Sequence, residues 1–335
     1  MKWIRIILFP IVPIYFLVTK VRNWLYDTGI KHSQSYNFPV ICVGNLSVGG
    51  TGKTPVIEYL IRLLKEDFNL ATLSRGYKRN TKGFVLADGN ATPKSIGDEP
   101  FQFYNKFKND INIAVDGNRQ VGIQLLKELV NPDIILLDDA FQHRKVKAGL
   151  NILLTVFDKL YVDDMLLPTG DLREPISGAK RADIILVTKC PETLSDPEKG
   201  RIKNKLKLKE NQHLFFSNID YSSTVFGSQK EADLTLFKSK NTTIVTGIAK
   251  PQSFIGYLQS QGLVFEHLRF PDHHSFNLQE IANLETKDII LTTEKDYVRL
   301  KQYESIKDKL YYLPIQFKID RAKEFDGIVK EFATN

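Results

Sequence analysis

Cysteine is scarce in this sequence of 335 residues, which contains only Cys42 and Cys190. Two thiols in a chain this long make no disulfide framework, and no Cys/His cluster has zinc spacing. Cys42 lies inside an apolar run, where it serves as a small core residue, so a reducing compartment fits best. Internal repeats and low-complexity tracts are absent. So is any apolar run long enough to cross a membrane: the uncharged stretch Ile6 to Val18 is too short for a spanning helix, which needs roughly 20 residues. After that stretch, "TKVRNW" offers no small-residue cleavage site of the kind a signal peptide requires. No nucleic-acid-binding signature with interleaved aromatics is found either, which argues against DNA or RNA as a partner.

What is present is ordinary for a folded protein, 42% hydrophobic and 25% charged, and the length suggests two domains. The net charge of +7 is compatible with nucleic acid, anionic lipid or a phosphorylated ligand, and equally with a solvated lysine-bearing surface. The short apolar run is flanked by Lys2 and Arg5 before it and by Lys20 and Arg22 after it, with Trp3, Tyr15, Trp24 and Tyr26 interspersed. That pattern suits a monotopic segment at the headgroup boundary of a membrane, and a buried N-terminal helix is the competing reading. Pro10 and Pro13 are expected to interrupt helical hydrogen bonding there.

The rest of the chain alternates strands and helices. "PVICVGN" (Pro39 to Asn45), "LATLS" (Leu70 to Ser74), "INIAV" (Ile111 to Val115), "DIILLD" (Asp133 to Asp138), "NILLTV" (Asn151 to Val156) and "DIILVT" (Asp183 to Thr188) read as buried strands. Helices are expected from Thr54 and over Arg119 to Val130. Near-continuous apolar strands between helices imply a mainly parallel sheet covered on both faces. The lysine-rich "KGRIKNKLKLKENQ" reads as an exposed helix end and linker, followed by a second βα series through "TTIVTG", "VFEHLRF", "DIILTT" and "YYLPIQF" to a final amphipathic helix. The expected organisation is an interfacial segment (1–27), an α/β core of the P-loop NTPase class (28–210) and a smaller C-terminal α/β domain (211–335).

Chemistry concentrates at "NLSVGGTGKTP". A strict phosphate-binding loop is G-x-x-x-x-G-K-[ST], with backbone N–H groups around the phosphates and the lysine on the terminal ones. Here Ser47 stands at the opening glycine, followed by Val48, Gly49, Gly50, Thr51, Gly52, Lys53 and Thr54. The strand before and the helix after supply the context that the motif requires. Lys53 suits the β- and γ-phosphates, and Thr54 suits Mg²⁺. Asp138 and Asp139, at the end of a strand, are the acidic partners such a site needs, with Gln142, His143 and Arg144 close behind. The guanine-specifying N-K-x-D is missing: "VTKCPE" has Thr188 for Asn and Pro191 for Asp, which favours ATP. Asp98 in "IGDEP" has two readings, a helix N-cap or a functional carboxylate. "LPTGDLREP" brings Asp171, Arg173 and Glu174, and "FPDHHSF" brings Asp272, His273 and His274. Arg75, Lys78 and Arg79 fit either a phosphate contact or a solvated basic loop.

In this order, "GNLSVGGTGKTP", "LSRGYKR", "GDEP", "LLDDAFQHR", "LREP", "VTKCP", "DHHSF" and "TEKD" resemble the tetraacyldisaccharide 4'-kinases. That family departs from the strict loop at the same place as Ser47, while Lys78 stands where it often has glycine. The resemblance implies transfer of the ATP γ-phosphate, with Mg²⁺, to the 4'-hydroxyl of a tetraacylated glucosamine disaccharide 1-phosphate, giving lipid IVA. It also implies a peripheral enzyme on the cytoplasmic face of the inner membrane of a Gram-negative bacterium. Carried over residue by residue, it makes Asp98 the general base, assisted by His273. It gives Lys53, Thr54, Asp138 and Asp139 to phosphate and metal, with Gln142 and Glu174 in support. A P-loop ATPase coupling hydrolysis to conformational change, or a membrane-associated nucleotide-binding scaffold, are the alternatives; the first implies high basal hydrolysis and partner dependence, and the second leaves Asp98 and His273 unexplained.

Overall fold

The structure, a computed structural model, describes residues 5, 7–228, 230–272 and 274–335. The chain divides into two compact units: one runs to Ile219 and resumes at Phe317–Asn335, and the other is Asp220–Gln316. In the first unit the strands are β1 (Val40–Asn45), β2 (Leu70–Ser74), β3 (Val85–Leu86), β4 (Asn112–Val115), β5 (Ile134–Asp138), β6 (Leu150–Val156), β7 (Ile184–Thr188) and β8 (His213–Tyr221). The central pairs, β1 with β5 and β6, β2 with β4 and β5, and β7 with β6 and β8, are all parallel. The short β3 runs antiparallel, on β4. Alternate residues of β1 enter opposite cores. Val40 and Cys42 pack with Ile123 and Leu126, whereas Ile41 and Val43 pack with Val56, Leu60 and Leu64. Burial on both faces explains why these strands read as unbroken apolar runs.

The helices that matter for the site are α1 (Val12–Asp27), α2 (Lys53–Leu64), α3 (Asp98–Phe107) and α4 (Arg119–Leu129). Helix α2 starts at Lys53, one residue before the expected start, because Gly52 caps it in a left-handed conformation. Pro13 does not break α1. It falls in the first turn, where a missing N–H costs nothing, and α1 continues for 16 residues. Its burial is inverted: only Thr19 and Asn23 are buried along it, while Ile14, Phe16, Leu17, Val18, Val21 and Trp24 are exposed. Polar anchors explain this. Asn23 donates to Glu174 Oε2 at 2.8 Å, Tyr15 Oη donates to the Arg173 carbonyl at 2.8 Å, and Arg22 donates to the Gln142 carbonyl at 2.7 Å. Among the described residues no helix is long and apolar enough to cross a membrane.

The lysine-rich stretch holds the exposed helix end expected of it, in the helix Asp196–Leu206, and then a short loop; the chain re-enters the same sheet at β8, so the division between units falls near residue 220 rather than 210. The second unit has its own sheet, built from β9 (Thr224–Phe226), β10 (Glu231–Asp233), β11 (Thr242–Thr246), β12 (Phe265–Arg269), β13 (Ile289–Thr293) and β14 (Leu310–Leu313), in the order β10-β9-β14-β13-β11-β12. "YYLPIQF", expected as one element of the smaller domain, divides at Pro314. Its first half is β14, and its second half is β15 (Ile315–Ile319), which lies beside β8 at the edge of the larger sheet. The final helix, Ala322–Thr334, also belongs to the first unit. Phe325 and Val329 are fully buried there, and Phe325 meets Phe215 edge-on with ring centroids 5.3 Å apart.

Candidate active site

The site lies at the carboxyl ends of β1 and β5, where parallel α/β sheets place ligands. Three residues of β1's exit set the loop's course. Gly44 passes so close to Phe141 that a Cβ there would sit 2.6 Å from the Phe141 Cβ. Asn45, fully buried, donates from Nδ2 to the Ser47 carbonyl at 2.6 Å. Leu46 accepts from the Arg173 N–H at 2.7 Å, and the Val48 N–H donates to the Asp171 carbonyl at 2.7 Å. This pairing with 171–173 keeps the loop's entry extended, as the Ser47–Leu172 bridge also shows. An L-residue is at ease there, and the left-handed turns fall later, at Gly49 (φ 110°) and Gly52 (φ 90°). The serine in place of the first glycine therefore costs the loop nothing.

The far side of the loop is held by "VTKCPE", whose sequence pattern bears only on base preference. Thr188 Oγ1 donates to the Thr51 carbonyl at 2.7 Å, and Lys189 Nζ donates to the Gly50 carbonyl at 2.6 Å. The loop's shape is thus fixed by side chains from two directions, with N–H groups at the head of α2 left for a phosphate.

Around this cradle stand the charges. Lys53 Nζ lies 3.6 Å from Asp139 Oδ1 and 3.4 Å from Asn45 Oδ1. Arg173 reaches Asp139 with both nitrogens, at 2.7 and 3.1 Å, and also holds the Asn45 carbonyl at 2.9 Å and its side-chain oxygen. The two adjacent carboxylates are driven apart in acidity. Burial pushes Asp138 up to about 7, reinforced by the negative charges of Glu99 and Asp139 and opposed by Lys53 and Arg119. Burial also works against the charged form of Asp139, but Lys53 and Arg173 outweigh it and hold that carboxyl below its usual range. Thr54 Oγ1 donates to Glu99 Oε1 at 3.3 Å, which brings Glu99 into the site. Asp138 Oδ1 is buried and has no hydrogen-bond partner. Hard oxygen donors from Thr54, Asp138 and Glu99, one of them unsatisfied, fit Mg²⁺.

Asp98 is not the helix cap. Gly97 occupies that position with φ 94°, and Asp98 is the first residue of α3, adjoining Glu99. His273, paired with Asp98 by the resemblance, lies outside the described residues. Glu174 differs from its expected place at the nucleotide. Its oxygens are taken by Arg181 at 2.8 and 2.9 Å, Gln142 at 2.9 Å and Asn23 at 2.8 Å, so it is a buried brace between α1 and the loop after β5. Gln142 belongs to the same brace, and it also donates to the Asn45 carbonyl at 2.8 Å. Of the basic trio, Arg79 donates to the Val115 and Gly83 carbonyls, whereas Arg75 and Lys78 are exposed. Lys78 is left-handed (φ 60°), a conformation that a glycine adopts without strain.

A family model described as tetraacyldisaccharide-1-P 4'-kinase matches residues 4–333. The tetraacyldisaccharide 4'-kinase of Flavobacterium johnsoniae is 52% identical over 99% of this chain and 98% of its own length. That of Bacteroides thetaiotaomicron is 42% identical over 95% of this chain and 89% of its own. Among solved structures, LpxK from Aquifex aeolicus in complex with ATP is similar with a TM-score of 0.80 at 30% identity, covering 98% of this chain and 99% of that one.

Proposed function

The chain belongs to the tetraacyldisaccharide-1-phosphate 4'-kinase family, and on that footing we propose which of its residues carry the phosphoryl transfer and where in the cell it works. The enzyme is a kinase that transfers the γ-phosphate of ATP to the 4'-hydroxyl of a tetraacyldisaccharide 1-phosphate, a step of lipid A biosynthesis. The observation that supports the residue roles best is the placement of Lys53, Arg173 and the Asp138–Asp139 pair around one glycine-rich loop.

In this reading, backbone N–H groups of Gly49 to Lys53 receive the phosphates, with Ser47, Val48 and Thr51 shaping the cradle. Lys53 places its charge on the terminal phosphates. Thr54, Asp138 and Glu99 would hold the cation, with Asp139 beside them, held by Arg173. Bound Mg²⁺ supplies positive charge against the phosphate oxygens, which is what phosphoryl transfer demands. Asp98, half-buried at the head of α3 beside Glu99, takes the proton of the 4'-hydroxyl as its oxygen attacks phosphorus. Gln142 and Glu174 act indirectly, by bracing the loop after β5.

The acceptor carries four acyl chains and stays in a bilayer, so the enzyme must come to it. Helix α1 turns Phe16, Leu17, Val18, Val21 and Trp24 outward, which supports peripheral docking on the cytoplasmic face of the inner membrane. The test is to incubate the full chain with γ-labelled ATP and detergent-dispersed tetraacyldisaccharide 1-phosphate. Label in the lipid is expected only when divalent cation is added. Nucleotide hydrolysis without labelled lipid would instead support a conformational ATPase.

A further inference from the structure

Beneath the C-terminal end of α1 the first unit contains an open cavity of about 620 Å³ whose lining includes none of the nucleotide-site residues. That volume is in the range of small-molecule sites. Its floor is apolar, formed by Cys42, Leu137, Phe141, Val146 and Ala148. Its rim is basic, with Lys31, His32, Arg144, Lys147 and Arg181. Asp27 and Asp183 also reach it, but both are engaged. Asp27 accepts from Arg144 Nη2 at 2.7 Å, and Asp183 accepts from the Asn151 N–H at 2.8 Å. Arg181 is likewise committed, to Glu174.

Arg144 is the informative residue. Its side chain is only 12% exposed, and its guanidinium lies over the Tyr26 ring, 5.3 Å from the centroid. One nitrogen is spent on Asp27, while Nη1 is buried and has no hydrogen-bond partner. Arg144 lines the cavity, and an unpaired guanidinium N–H at its wall carries a cost that an anionic oxygen brought against the guanidinium would remove. Lys31 and Lys147, both exposed at the rim, add charge of the same sign.

We propose that this cavity is a second phosphate site, separate from the phosphate loop, that takes the phosphodiester head of an anionic glycerophospholipid. Arg144 Nη1 donates to a phosphate oxygen, Lys31 and Lys147 attract the charge, and the glycerol backbone lies on the Phe141–Val146 floor. The choice of a lipid over a free anion follows from position. Tyr26 and Asp27 continue the helix whose exposed Val21 and Trp24 face the membrane in the reading above, so the mouth opens at headgroup level. This choice rests on the membrane reading; the existence of the anion site does not.

Calorimetry with the full chain tests it, using dihexanoyl-phosphatidylglycerol below its micelle concentration so that no bilayer is involved. Saturable one-to-one binding is expected, undiminished by ATP and retained by Lys53→Ala. Arg144→Met should weaken it about tenfold or more, the effect of losing a charge-assisted hydrogen bond. Lys31→Glu with Lys147→Glu, both exposed, should weaken it several-fold, losing only the distant contact of the Lys31 ammonium with the Tyr26 ring, which covers the case of an Arg144 variant that does not fold. Equal binding of dihexanoyl-phosphatidylcholine, or full competition by inorganic phosphate at matched concentration, would overturn the lipid assignment. Unchanged affinity in both variants would overturn the site. A parallel rise in KM for the acceptor in phospholipid-free detergent would give the cavity to the acceptor instead. Phosphoryl transfer and ATP binding are read separately, so their failure is distinguishable from failure of the cavity.

Discussion

Arg173 grips Asp139 through two hydrogen bonds, at 2.7 and 3.1 Å, while the same guanidinium holds the main-chain carbonyl of Asn45 at 2.9 Å. This matters because Asp139 is in the left-handed region, with φ 50°, and needs an external hold to stay there. Arg173→Lys keeps the charge but cannot make the fork and the carbonyl contact together. A fall in kcat of roughly tenfold or more is expected, from the loss of about 1.5–3 kcal/mol of charge-assisted bonding. Steady-state kinetics beside a melting curve will separate this from simple destabilisation; unchanged kcat would remove Arg173 from the site.

Because Gly97 caps α3, the capping role that would have explained Asp98 by structure alone is already filled. Asp98→Asn preserves shape while removing the proton acceptor. It should lower kcat by two or more orders of magnitude, the usual reach of general-base catalysis being about 10²–10⁴, with ATP affinity nearly unchanged. The rise of kcat/KM on the acidic side of the pH profile should also vanish. A fully active Asp98→Asn enzyme would end the general-base assignment and make Asp139 the next residue to test.

Asp138, pushed up to about 7, holds a proton through the mildly acidic range in the metal-free protein. Divalent cation must displace that proton, so Mg²⁺ affinity should climb as pH rises from about 6 and level off above about 8. Asp138's own contribution to the stability of the metal-free protein should move the opposite way. The folded state binds this proton more tightly than the unfolded chain does, so that contribution is fully present below the unfolded value of 3.8 and is lost as pH rises through about 7, read as the difference between the protein and Asp138→Asn. Titration calorimetry and melting temperature across that window check both signs. In Asp138→Asn the metal dependence on pH should flatten.

On α1, Leu17 and Val18 are each 60% exposed. Leu17→Glu with Val18→Glu should abolish partition onto anionic vesicles while leaving the melting temperature within a degree or two, since neither side chain is buried. Deleting the helix is a harsher change, because it strips Asn23 from Glu174 and leaves a buried carboxylate short of one partner. Vesicle sedimentation compared with thermal melting distinguishes the two; persistent partition of the double variant would count against docking through this face.

The strands of the core and the phosphate loop were legible because each is local. An apolar run buried on both faces and bounded by turn residues marks itself, and Leu70–Ser74 matches to the residue. The residues that organise the site were not, because their roles depend on partners distant in sequence. Asn45 looked like the end of a strand, and Arg173 was one charge in a polar loop 128 positions away, yet they share hydrogen bonds. Glu99 was hidden beside Asp98, and only the Thr54 contact separates their roles. Thr188 falls in a stretch whose sequence speaks only to base preference, although it and Lys189 act on the loop's carbonyls. Periodicity also misplaced the division of "YYLPIQF", since nothing in two adjacent short strands says that they join different sheets.

That division at Pro314 bears on biosynthesis. β8 is flanked by β7 on one side and by β15 on the other, and β15 follows β8 in the chain only after the whole second unit. While the second unit is being synthesised, β8 therefore presents a bare row of N–H and C=O groups, and Phe215 lacks the cover of Phe325. A stop codon anywhere before residue 317 would leave an adhesive strand edge, making even a late nonsense mutation a source of aggregation rather than of a shortened working kinase.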